Sequence, residues 1–107
     1  MEILFFNERS KRFHKSLNND LKSKADRLLE LLEEHGNNLT MPFSKPIGRK
    51  LFELRIVGEN HVRFIYAFHI DKAWILHGFF KKADKIPKIE IDYAVKQFKL
   101  LLHWYNG

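Results

Sequence analysis

The stretch "KLFELRIVGENHVRFIYAFHIDKAWILHGFF", residues 50–80, decides the fold. Its first run, "KLFELRI" (50–56), alternates apolar and polar residues. The second, "HVRFIYAF" (61–68), also alternates, and the third, "KAWILHGFF" (72–80), is nearly continuous apolar. Period-two alternation is the mark of a strand with two distinct faces. The runs are separated by Val57-Gly58-Glu59-Asn60 and His69-Ile70-Asp71, both rich in turn formers. Three short consecutive strands joined by tight turns predict an antiparallel meander.

The alternation sorts the residues by face. Phe52, Leu54 and Ile56 fall opposite Leu51, Glu53 and Arg55, and Val62, Phe64, Tyr66 and Phe68 fall opposite Arg63, Ile65 and Ala67. Matching the apolar faces fixes an even offset, because a slip of one residue turns every side chain over. The most compact hairpin then loops through Gly58-Glu59-Asn60 and sets Arg55 directly across from Arg63. Like charges so placed are unfavourable by about 0.2–1 kcal/mol. Two readings follow: Glu53 lies between them in an ordinary surface ion pair, or the two guanidiniums wait for an anion.

Beyond the third strand the chain reads "LHGFFKKADKIPKIEIDYA" (76–94), with Lys81, Lys82, Lys85 and Lys88 interrupted only by Asp84. The end of that strand brings Lys81 and Lys82 to the rim of the sheet, and Lys85 and Lys88 precede or open a helix. Arginine forks that hold phosphate bidentately, mobile lysines around them and the free N–H groups of a helix start together predict a phosphate-binding surface.

Working outward, "EILFF" (2–6) reads as a strand, and Phe13 and Leu17 recur at helical spacing after it. Asn18, Asn19 and Asp20 break that helix and cap a second, whose stripe of Leu21, Ala25, Leu28, Leu29 and Leu32 ends at His35-Gly36. Residues 36–49 hold two prolines and two glycines and read as an irregular connection. Pro87 opens a last helix with Ile91, Ala94, Val95, Phe98, Leu102 and Tyr105 along one face. The order β-α-α-β-β-β-α predicts an α+β fold: a mainly antiparallel sheet with helices packed on one face, in a single domain spanning 1–107.

Composition narrows the chemistry. The chain has no cysteine, which excludes disulfides and thiolate metal sites and fits a reducing cytoplasm. Neither a signal peptide nor a membrane span is expected. The formal net charge is +6, and it is unevenly placed. Residues 1–35 carry seven Lys or Arg against seven Asp or Glu, and residues 36–107 carry twelve against six. Such a split points to an anionic partner. Of the six histidines, none has the i, i+4 spacing of a helical metal pair, and His61, His69 and His77 fall on different strands or turns, so no metal and no cofactor is expected. His77 sits in an apolar strand, where a core imidazole is the default and acid–base work the alternative; its face depends on the length of the 69–72 turn. Trp74 and Trp104 read as core or core-edge residues.

Together "KLFELRI", "VRFIYAF" and "ILHGFFKKADKIPKIEIDYA", with the helix "ADRLLELLEEHGNNL" before them, resemble the RelE/HigB toxin superfamily in its phage-derived HigB-like branch, over nearly the whole chain. The resemblance implies a RelE-like fold and the toxin of a toxin–antitoxin pair: a metal-independent endoribonuclease that cleaves mRNA, often on the translating ribosome. It implies catalytic roles for Arg55 of "ELR", Arg63 of "VRF" and Lys81-Lys82 of "FFKK"; beside them Lys50, at the head of the first strand, and Lys85 and Lys88 of the basic cluster are expected as further RNA contacts. It also implies an antitoxin, acidic or bearing a helix-turn-helix domain, that covers the basic face. Two departures stand out: a tyrosine frequent just after the basic corner is displaced to Tyr93, and Ile86 replaces the small hydroxyl residue before the helix-opening proline. The proton acceptor stays open among a lysine, Glu53 and His77. Two other functions fit the same fold: a ParE-like inhibitor of DNA gyrase, and a non-catalytic module that binds nucleic acid or a partner.

Overall fold

The computed structural model describes residues 1–56, 58, 61–82 and 84–106, so the 57–60 turn, apart from Gly58, lies outside the described residues. The elements are β1 (Glu2–Phe5), α1 (Glu8–Ser16), α2 (Asn19–His35), β2 (Ser44–Gly48), β3 (Leu51–Arg55), β4 (Val62–His69), β5 (Lys72–Phe80) and α3 (Lys88–Asn106). The five strands form one sheet in the order β1-β5-β4-β3-β2. β1 runs parallel to β5, and every other pairing is antiparallel. The α+β class and the meander are as the sequence predicts.

Local chemistry accounts for the helix ends. Asn7 caps α1 by accepting the Ser10 N–H at 2.9 Å, and Asn18 caps α2 by accepting the Leu21 N–H at 2.9 Å. At the far end of α2, Gly36 takes φ +52° and returns its N–H to the Leu32 carbonyl. Pro87 supplies the carbonyl that begins α3, accepting from the Glu90 and Ile91 N–H groups.

Two features depart from the expected architecture. The connection 36–49 is only partly irregular, because Ser44–Gly48 pairs with β3 as an extra edge strand. Pro46 is tolerated there because an edge strand leaves alternate N–H groups without a ladder partner. The helices also occupy both faces. α1 and α2 cover a core of Leu17, Ala25, Leu28 and Leu32 against Leu54, Phe64, Tyr66 and Ile75. On the other face Ala94 and Leu101 of α3 pack with Leu51, Ile65, Ala67, Trp74, Leu76 and Phe79. The central strands are therefore buried on both sides, which is why β5 reads as continuous apolar sequence.

β5 carries a bulge. Ile65 pairs with His77 and Tyr66 with Ile75, so Leu76 is one residue in excess. The carbonyl of Leu76 accepts from Asn7 Nδ2 at 2.9 Å, and the same amide nitrogen donates to Gln97 Oε1 of α3 at 2.9 Å. One side chain thus caps α1, ties the bulge and holds α3. Beyond the bulge Gly78 lies under α1, where an added Cβ would stand 2.4 Å from Cδ2 of Phe13.

Candidate active site

Arg55 and Arg63 are cross-strand partners, as the alternation predicts. Glu53 lies between them, its Oε1 3.4 Å from Arg55 Nε and 3.8 Å from Arg63 Nε. The ion-pair reading of this triad is thus realised, though not at the surface: Glu53 is 4% exposed and Arg63 3%. One carboxylate shared by two guanidiniums offsets their repulsion and leaves one positive charge in excess. Arg63 turns its Nη1 to the Val62 carbonyl at 2.8 Å, while the Arg55 side chain keeps 30% of its surface open.

Arg55 opens onto a cleft of about 450 Å³ on the α3 face of the sheet. Its cations are Lys45, Arg55, Lys81 and Lys85; its carboxylates are Glu53 and Asp84; Ile47, Ile86 and Ile91 supply apolar wall. The structure therefore brings Arg55, Lys81 and Lys85 together as the sequence suggests. Arg63 sits below the floor and does not line the cleft, and Lys82, though exposed next to Lys81, does not line it either. Lys88 points its Nζ at Asp92 at 3.0 Å, and Lys50 lies in the β2–β3 turn. Lys45 escapes sequence reading because β2 does; its pairing with Glu53 across the β2–β3 ladder is what turns it toward the site. Among the described residues no carboxylate lies within ion-pair distance of Lys45, Lys81 or Lys85.

His77 belongs elsewhere. The bulge puts it on the α3 face, 1% exposed, with Nε2 3.0 Å from Glu90 Oε1. Its ring lies between Phe79 at 5.0 Å and Tyr93 at 4.5 Å, and the Arg9 guanidinium stands over the outer side of Tyr93 at 4.4 Å. Burial holds its pKa below the usual histidine value, with the Glu90 hydrogen bond and charge opposing and Arg9 adding a smaller downward push. Tyr93 is occupied in this stack, so the displaced tyrosine serves packing and does not line the cleft.

Among the described residues no group of three His, Cys, Asp or Glu is placed to hold a metal ion, and no helix is long and apolar enough to cross a membrane. A search of curated proteins finds no match. The family described as Phage derived protein Gp49-like (DUF891) matches residues 12–99, a span that runs from α1 through the three central strands and the basic corner into α3. The chain therefore belongs to the phage-derived Gp49-like family, a family of RelE/HigB-like toxins.

Proposed function

We infer that this chain is the toxin of a toxin–antitoxin pair and acts as a metal-independent endoribonuclease on mRNA, during translation. The observation that carries the reading is the cleft itself: four cations against two carboxylates, open to solvent, with an arginine on its floor. An RNA strand laid there supplies its own nucleophile. The 2′-oxygen attacks the adjacent phosphorus, the bond to the 5′-oxygen breaks, and the products are a 2′,3′-cyclic phosphate and a 5′-hydroxyl. Arg55, Lys45 and Lys85 hold the phosphate and stabilise the charge on the phosphorane, which is the largest contribution. Lys81 gives a proton to the leaving oxygen, with Lys82 beside it on the rim. Arg63 acts through Glu53 and Arg55 by fixing the floor's charge and geometry. Lys50 and Lys88 lie outside the cleft as RNA contacts.

The proton acceptor must reach the 2′-hydroxyl. His77 is sealed beneath α3, so the role falls to Glu53 or to a lysine of the cleft. The antitoxin, acidic or carrying a helix-turn-helix domain, meets the cationic cleft by charge complementarity.

The direct test is induction in bacteria beside an Arg55→Ala variant, with new 5′ ends mapped on abundant transcripts. Arg55 is the right probe because it is open to the cleft, whereas truncating Arg63, which is 3% exposed, empties buried space beneath the floor and disturbs the fold as well as the site. Cuts inside translated regions that disappear in Arg55→Ala are expected, with a loss of about 10²–10³ in cleavage rate. Growth arrest without new ends would move the reading to gyrase inhibition, and no effect on growth or transcripts to a binding module.

A further inference from the structure

Both described hairpins of the sheet close through two-residue turns whose central residues have positive φ: Arg49 (56°) and Lys50 (64°) between β2 and β3, and Ile70 (52°) and Asp71 (58°) between β4 and β5. This turn suits Asn-Gly; other L residues are strained in it. The loop length alone imposes the conformation, so stability does not account for an arginine and a lysine at the first tip. Arg49 and Lys50 are exposed, and no carboxylate of the described residues lies within ion-pair distance of either.

Their position is informative. β2 forms one wall of the cleft through Lys45 and Ile47, and Arg49 follows Ile47 by two residues. The tip stands about 15 Å along the sheet from Arg55, by the rise of an extended strand. Cations therefore continue from the floor of the cleft, along its β2 wall, to the end of the hairpin. We propose that the Arg49–Lys50 turn is a second phosphate contact, which grips the backbone of the RNA strand where it leaves the cleft. This rests on the ribonuclease reading above and extends it from the scissile phosphate to the flanking strand.

The test uses the full chain and a fluorescein-labelled, fully 2′-O-methylated RNA of roughly ten nucleotides, which binds without being cut. Three proteins are compared: wild type, R49N/K50G, and I70N as a neutral change in the sister turn. Both variants place better turn formers at strained positions, so each should melt at the same temperature as wild type or a few degrees higher. Binding should separate them. Losing two phosphate contacts on a single strand makes the salt dependence shallower by about 1.4 in log–log slope, so R49N/K50G should bind about 25-fold more weakly at 0.1 M salt while converging with wild type near 1 M. I70N should bind as wild type does. An unchanged slope in R49N/K50G, or an equal loss in I70N, overturns the proposal. If Arg55→Ala loses cleavage while R49N/K50G binds normally, the tip contact alone falls; if wild type itself ignores the RNA, the tip contact falls together with the nuclease reading.

Discussion

Along α1 and α2, cations stand beside carboxylates: Lys11 is 3.5 Å from Glu8, Lys24 3.1 Å from Asp20, and Arg27 3.1 Å from Glu30. Around the cleft the balance is reversed: no carboxylate of the described residues lies within ion-pair distance of Lys45, Lys81 or Lys85, and buried Glu53 is divided between two arginines. The helical layer is held by what lies beneath it, a leucine-rich core, and its surface pairs are nearly neutral in energy. The cleft is held by Glu53 and carries its surplus charge at the expense of self-repulsion. The difference teaches that position, and not the total of +6, distinguishes a solvated face from a site.

The sharpest way to break this comparison is Glu53→Gln. It removes the carboxylate that buried Arg63 and Arg55 share and should lower stability by about 3–5 kcal/mol in denaturant unfolding. A change under about 1 kcal/mol would show that the floor does not depend on the carboxylate. Next is Gly78→Ala, which probes the helical side of the same sheet. The new Cβ would collide with Phe13, itself held edge-on between Phe64 and Phe80, and should cost about 1–3 kcal/mol without altering the cleft.

His77 offers a pH-dependent contrast. Its folded-state pKa lies below the unfolded value, so the unfolded chain takes up the proton first as pH falls. Stability is therefore complete above about pH 6.5 and declines as pH drops from there toward the lower folded value. Melting temperature followed from pH 7.5 to 5 should show this slope, and His77→Gln should flatten it; an unchanged slope would place the titration elsewhere. The smallest effect is expected at Asp20→Asn on α2, within about 0.5 kcal/mol, since both partners of its ion pair are largely in water. A larger loss there would undo the view of α2 as a solvated face.

The sequence made the central hairpin legible in detail, because period-two alternation fixes both faces and the parity of the offset, and the shortest loop that fits then sets Arg55 opposite Arg63. Arg63's burial was not legible, since an arginine on an alternating strand ordinarily reaches solvent. The edge strand was hidden by Pro46 and Gly48, which signal irregular chain everywhere except at an edge or bulge. The second helical layer did leave a trace. Leu51, Ile65, Ala67, Trp74 and Leu76 are too apolar for a solvated face, and they call for a cover that only α3 provides. The bulge left none, because an extra residue in a strand is a property of pairing and not of composition.

That extra residue acts as a parity switch. On β5 the even-numbered Trp74 and Leu76 address the α3 compartment, whereas after the bulge the odd-numbered His77 and Phe79 do, and Lys81 follows them into the cleft. Smooth the bulge away with every residue kept, and the last strand would deliver Phe80 to the cleft and send Lys81 to the opposite compartment. The location of a charge is thus a matter of counting, and the count is guarded by Asn7, nearly seventy residues upstream, which occupies the carbonyl that the miscounted residue leaves over.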